Sequence, residues 1–508
     1  VTTGVDDEDG HRWLDRFTLL LALPSFLISL IVHIIMTAIA ALIVFTGPQV
    51  MQVALNASSS EDVAADELDL SDLELSDVEL EQAELSEAME SMLDTPSEFE
   101  LETPTLLDTM PMVVPDALSS LSEMMPAMGD MGNGEAFTHR NSAEAREQML
   151  KNNGGTAASE AAVERGLKWL ADHQLPDGSW DLNHQKGPGR FRQTPNPGRG
   201  EGQFGATGLA LLPFLGKGYT HQEGKYQATV RRGLAYLISN IKPEGMNGGS
   251  YMDTAGTMYS HAICTICLCE AYGMTKDPKL RDPALAALRF IVFAQDPIGG
   301  GWRYRPQEVG DTSAVGWQLM ALKSGSMMGE NAPPFVFDRT KKFLDSVQSH
   351  GGVRYGYLGP SQQPGSGTTA VGILSRMYLG WNKENPTLLE AIDYLSELGP
   401  DTRDFEAGAG NVPDAEANMY YNYYTTQIMR HHGGKPWDEW NEVMREFLIA
   451  SQEKEGFAEG SWFFENGHSS AVGGRLYSTA MAVMTLEVYY RHLPLYRSEA
   501  LADTFPLD

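Results

Sequence analysis

One sixteen-residue stretch constrains the fold of this chain more than any other: Arg165 to Trp180, which reads Arg-Gly-Leu-Lys-Trp-Leu-Ala-Asp-His-Gln-Leu-Pro-Asp-Gly-Ser-Trp. Ala162, Gly166, Trp169 and Leu170 recur at helical spacing and give the segment one packed face. Pro176-Asp177-Gly178 then stops the helix and turns the chain. The same order returns downstream: Arg232-Gly233 with Tyr251, Gln295 with Trp302, Gln348 with Tyr355, an eroded copy at Tyr394-Leu395, and Gln452 with Trp462. A second apolar helix follows each copy. The equivalent positions Leu167, Leu234, Leu288, Phe343, Tyr394 and Phe447 are 67, 54, 55, 51 and 53 residues apart. Six helical hairpins of this period bury their faces only by stacking on neighbours. Six is also a number that lets such a stack close on itself, which removes the need for capping units.

What precedes the repeats is of another kind. Phe17 to Phe45 contains no charged residue, and Pro24 to Phe45 alone is 22 residues, about 33 Å as a helix and enough to cross a bilayer core. A cleaved signal has a shorter apolar run, so residues 17–46 are expected to be a transmembrane helix, with the lipid bilayer as a partner. Arg12 and Arg16 flank one side, and no Lys or Arg follows until Arg140. The positive-inside rule then puts residues 1–16 in the cytoplasm and the repeats on the periplasmic side of the inner membrane.

The net charge of −31 is concentrated between these parts. Residues 61–135 hold 22 Asp or Glu and no Lys or Arg. Residues 47–140 are therefore expected to be a disordered acidic linker, residues 141–495 the repeat domain, and 496–508 a short tail. With no basic field, nucleic acid is excluded as a partner.

The grammar at Arg165–Trp180 resembles the QW-type repeat of squalene–hopene cyclases and protein prenyltransferase β-subunits, over roughly residues 160–490. It is also similar to that of a bacterial group with one membrane helix ahead of such repeats. The resemblance implies an all-α (α/α)6 toroid whose second helices line the centre. The chemistry of those families does not carry over. Their cyclases keep a proton-donating Asp in an Asp-x-Asp-Asp-Thr-Ala motif, and the matching stretch here is Glu308-Val309-Gly310-Asp311-Thr312-Ser313. Gly310 stands at the donor position and has no proton to give. Prenyltransferases hold zinc with a Cys two residues after an Asp, and Ser313 stands there. His261, Cys264, Cys267 and Cys269 fan out around one helix at about 100° per residue, too widely to converge on one ion. No metal and no cofactor is expected, and the three cysteines read as small buried thiols.

The remaining candidates are Asp311 and Glu308 as acids, with His261, Trp317, Gln318, Tyr421, Asn422, Tyr424, Arg475 and Tyr477 as a ligand-binding lining. Asp311 also has a purely structural reading, as the cap of the helix it precedes. Two function classes follow. The first is a membrane-anchored, non-catalytic module that binds a protein, a peptide or an apolar ligand. The second is an enzyme on a lipid or isoprenoid using a non-standard acid. A buried acid with a perturbed pKa separates them.

Overall fold

The structure is a computed structural model and describes residues 142–252, 257–403, 417–465 and 467–492, together with Phe137, Arg140, Phe405 and Leu495. The expected membrane span, most of the acidic linker and the tail lie outside the described residues. Among the described residues no helix is long and apolar enough to cross a membrane.

A short helix α1 (Ala143–Asn152) leads into six hairpins. Their outer helices are α2 (Ala157–Asp172), α4 (Gln227–Asn240), α6 (Pro278–Ala294), α8 (Pro334–Val347), α10 (Pro386–Leu398) and α12 (Gly434–Ser451). Their inner helices are α3 (Gln203–Gly216), α5 (Met258–Thr275), α7 (Thr312–Met327), α9 (Ser366–Tyr378), α11 (Met419–His432) and α13 (Ser470–Leu486), and α14 (Val488–Arg491) is the last described helix. Each inner helix packs on the next, and α13 packs back on α3. The ring is therefore closed, and the expected (α/α)6 toroid is what the chain forms. Burial separates the two layers. Outer helix α2 buries one stripe through Ala162, Gly166, Leu167 and Leu170, whereas every residue of α11 from Met419 to His431 is buried. Two-residue strands, β1 (Lys242–Pro243) with β2 (Gly249–Ser250) and β3 (Gln348–Ser349) with β4 (Arg354–Tyr355), staple two of the turns as antiparallel pairs.

The recurrent Gln, Trp and Gly now have defined tasks. The Gln174 amide donates to its own turn at the Gly178 carbonyl (2.8 Å) and to the Thr229 carbonyl of the next outer helix (3.0 Å), while Arg232 of that helix donates to Gln174 Oε1. Gln295 repeats this with the Gly300 and Val336 carbonyls, both at 2.9 Å. Gln452, in the last repeat, donates to Gly460 and to Ala162 of the first, both at 2.8 Å, and accepts from Arg165 Nε at 2.8 Å. The same clamp that joins neighbours thus closes the ring. Trp180, Trp302 and Trp462 lie in the core and donate their indole N–H to Leu170, Ile291 and Leu448 of their own outer helices. Gly178 and Gly460 have φ of 93° and 88°, and a Cβ there would lie 2.5 Å from the carbonyl oxygen of Arg232 and Arg165, respectively. Both the backbone hand and the close approach require glycine.

The eroded fifth repeat uses a substitute. Asn422 accepts from the Asp401 N–H (2.9 Å) and donates to the Asp401 carbonyl (2.7 Å). The toroid also reaches further back along the chain than residue 141. Phe137 and Arg140, expected in the linker, are buried in it. Arg140 pairs with Glu270 at 2.9 Å and donates to the Arg491 carbonyl, tying the first described residues to the last helix. The cysteines are buried thiols, with Cys264 and Cys267 donating to α3 carbonyls at Phe204 and Gly208.

Candidate functional site

All six inner helices start at the same end of the ring, and Asp311 sits there as the N-cap of α7. Its Oδ1 accepts from the Ala314 N–H at 2.7 Å, so the structural reading of this residue holds. A cap does not exhaust it. The Tyr259 hydroxyl, from the start of α5, donates to the same Oδ1 at 3.2 Å, and Oδ2 has no hydrogen-bond partner among the described residues although Asp311 is fully buried. Burial disfavours the carboxylate and pushes Asp311 up to about 6, against the opposing pull of the Ala314 N–H and the neighbouring tyrosine hydroxyls.

Around this acid stands a fence of tyrosines. Tyr304 and Tyr357 share a hydroxyl–hydroxyl hydrogen bond at 2.8 Å, and the Tyr304 ring lies 6.0 Å from that of Tyr259. Deeper in the ring, Tyr420 packs on Tyr424 with centroids 5.0 Å apart. Trp317, on α7, stacks on Tyr423 at 6.2 Å and meets Tyr424 edge-on at 6.1 Å. Both tyrosines belong to α11, two places further round, so aromatic side chains span the middle of the ring. The hydroxyls of Tyr420, Tyr424 and Tyr477, with Gln318 Oε1, are buried and lack partners among the described residues. Buried polar atoms of this kind need water or a ligand.

Of the sequence-derived set, Trp317 and Tyr424 meet ring to ring, and Asp311, Gln318 and Tyr477 are buried with a polar atom that lacks a hydrogen-bond partner among the described residues. The others serve the scaffold. His261 is fully buried, with Nδ1 accepting from the Tyr251 N–H at 3.2 Å and Nε2 donating to the Ala287 carbonyl at 3.1 Å. It occupies the place that Thr207 and Thr479 hold in other repeats, where a hydroxyl accepts the N–H of Trp180 or Trp462. Burial lowers His261 to about 4, in keeping with a neutral ring. The Tyr421 hydroxyl donates to Gly399, and Asn422 is consumed by Asp401. Arg475 donates to Ser461 Oγ (3.1 Å) and Asn196 Oδ1 (2.8 Å), pinning the loop of the first repeat to the last. Glu308 lies on the outer turn and accepts from the Arg305 N–H at 3.0 Å. These four side chains and Glu308 face partners that bind them into the fold, not a ligand.

Sequence reasoning passed over Tyr304 and Tyr357. A signal existed: each stands two residues after its repeat's turn aromatic, Trp302 and Tyr355.

No family model matches this chain, and no curated protein matches it. Solved structures similar to it include the GH76A α-1,6-mannanase of Salegentibacter sp. HEL1_6, at 12% identity and TM-score 0.43, covering 65% of this chain and 98% of that one. The type II terpene cyclase MstE from Scytonema is another, at 12% identity and TM-score 0.42, covering 65% of this chain and 97% of that one.

The raised acid yields a pH signature. A carboxyl whose folded pKa lies above its unfolded value favours folding when protonated, and that contribution is lost as pH rises through about 6. Denaturant unfolding of the wild type should therefore weaken by on the order of 2–3 kcal/mol between pH ~4 and ~7 relative to Asp311→Asn. Parallel pH profiles for the two proteins would mean that Asp311 is solvated.

Proposed function

We propose that this protein is a membrane-anchored α/α toroid that binds its ligand without converting it. The ligand sits at the inner-helix N-terminal end, between the tyrosine fence and Asp311. The single observation behind this reading is Gly310. A Cβ built on it would lie 2.6 Å from the Gly301 Cα, so two backbones touch where cyclases of the resembled family hold their proton donor. No carboxylate fits there without moving the turn. Unpartnered hydroxyls beside aromatic faces are binding chemistry, suited to a ligand with both apolar and hydrogen-bonding surface.

A second reading, an enzyme acting on a lipid or isoprenoid, is favoured by one specific feature. Asp311 is protonated over much of the acidic range up to about 6 and has an oxygen without a hydrogen-bond partner among the described residues, which is how a general acid is prepared. Incubating the purified protein in detergent with a polyprene decides between them. The binding reading expects no cyclic product, and Asp311→Asn should keep whatever ligand copurifies. Cyclic product lost in Asp311→Asn at unchanged melting temperature would establish the enzyme.

The anchor and sidedness are part of the proposal, supported by the uncharged run 17–45 and by Arg12 and Arg16 on one flank. Protease added to intact spheroplasts should trim the toroid from its tether. Full protection until the membrane is broken would place the toroid in the cytoplasm.

A further inference from the structure

The loop from His184 to Gly200 joins α2 to α3 but is fastened to the last repeat. Arg199 and Gly200 donate their N–H groups to the Ala471 and Val472 carbonyls at 3.0 and 2.9 Å, and the Asn196 carbonyl accepts the Arg475 N–H at 3.0 Å. These bonds lay the loop on the start of α13, the helix that carries Tyr477. Thr194 holds the loop from its other side. Its hydroxyl donates to the Phe457 carbonyl of the last repeat at 3.0 Å and lies 3.1 Å from His173 Nε2. Its carbonyl accepts from His184 Nε2 at 3.1 Å and from the Gln185 amide at 2.9 Å. His173 in turn donates Nδ1–H to the Trp169 carbonyl at 2.7 Å. The Trp169 ring stacks on His173 at 3.9 Å, and His184 meets both rings edge-on at 5.3 and 5.5 Å. Both imidazoles are buried.

An added proton affects the two rings differently. On His173 it has compensations: Nε2–H would donate to Thr194 Oγ1 while the hydroxyl keeps Phe457, and the Trp169 face lies against the cation. On His184 it has none. Nε2 already carries a proton to reach a carbonyl, so a second one goes to Nδ1, which has no acceptor among the described residues. The charges acting on the pair are positive, Arg475 of α13 and Lys168 of α2. Glu453 is paired with Arg475 at 3.4 Å, Asp172 with Lys168, and Asp181 with Lys186 at 2.9 Å. Arg190, Arg192 and Arg199 of the loop, and Lys454, Glu455 and Glu459 of the last repeat's turn, are exposed. A buried donor without an acceptor and a buried cation without a counter-ion are both costly. Burial lowers His173 and His184 each to about 4, against the pull of the Trp169 and Thr194 carbonyls, and Arg475 adds to the lowering. The folded chain thus binds fewer protons here than the unfolded one. The hold is complete above the ordinary histidine value of 6.5 and is lost as pH falls towards about 4.

We propose that His184 is the trigger of an acid-released latch, which fastens the loop of the first repeat to the last repeat across the seam of the ring. The latch lies at the same end of the toroid as Asp311, and it is independent of whether that end binds or converts its ligand.

The test is amide hydrogen–deuterium exchange of the full-length protein in detergent, corrected for the pH dependence of intrinsic exchange. The amides of Arg199, Gly200 and Arg475, which bond across the seam, should lose protection by at least about tenfold between pH ~7 and ~4.5, while those of α5 and α7 keep theirs. His184→Gln retains a donor for the Thr194 carbonyl but does not titrate, so it should stay protected at the lower pH. His350→Gln, exposed in another turn, should respond as the wild type does. If His184→Gln fails to fold, histidine C2–H exchange in the wild type supplies the second reading: the titration of His184 should coincide with the loss of seam protection. Seam amides that stay protected in acid, or lose protection only together with α5 and α7, overturn the proposal. So does a folded His184→Gln protein that opens as the wild type does, or a His184 titration separate from the opening.

Discussion

The structure depends on one side-chain amide used repeatedly. A glutamine at the end of an outer helix holds the turn of its own repeat and a carbonyl of the following one, as Gln174, Gln295 and Gln452 each do. Each buried amide bond contributes about 1 kcal/mol net, and leaving such a donor unsatisfied costs about 1–3 kcal/mol. The clamps therefore choose between register alternatives more than they drive folding. Burial of the apolar outer stripe and of nearly all inner-helix side chains supplies the driving force. Because Gln452 reaches Ala162 and Arg165, the last repeat treats the first as its successor.

Closure has a consequence for chemistry. Six inner helices starting at one end put six helix N-termini around one opening, and side chains such as Trp317 and Tyr423 meet across the ring. A carboxyl placed there loses water but gains a cap bond, and Asp311 shows both effects at once. The cap N–H holds one oxygen, and desolvation keeps the group partly protonated below neutrality. At the other end α11 closes in Arg430 and His431.

The fold was legible because its signals are local. The Gln, the Gly of positive φ and the turn aromatic each act within one repeat or on the next, so their spacing survives in the sequence. The site was less legible. His261 and Arg475 were reasonable ligand candidates by residue type, yet their partners, Ala287 for one and Asn196 for the other, depend on contacts between repeats. His261 substitutes for a threonine hydroxyl in a turn, a role that repeat alignment alone could have suggested. Asp311 was legible as a cap from its position before an apolar run. Its raised pKa was not, because that shift comes from burial within the assembled ring, against the pull of tyrosine hydroxyls from other repeats. Phe137 and Arg140 show a similar limit. The acidic composition beside them masks two residues that the ring buries.

The central claim is that the ring is closed by equivalent repeats and has no privileged end. Arg140 bonds the Arg491 carbonyl, so the two ends of the toroid are neighbours and can be joined by a short linker. The new break belongs between Lys383 and Glu384, in the exposed turn between α9 and α10. The measurement is denaturant unfolding of this circular permutant, followed by far-ultraviolet circular dichroism and by tryptophan fluorescence. The account predicts one cooperative transition, coincident by both probes, with an m-value matching that of the parent toroid. Separate transitions, or a marked loss of m-value, would mean that the junction between the sixth and first repeats is not equivalent to the others.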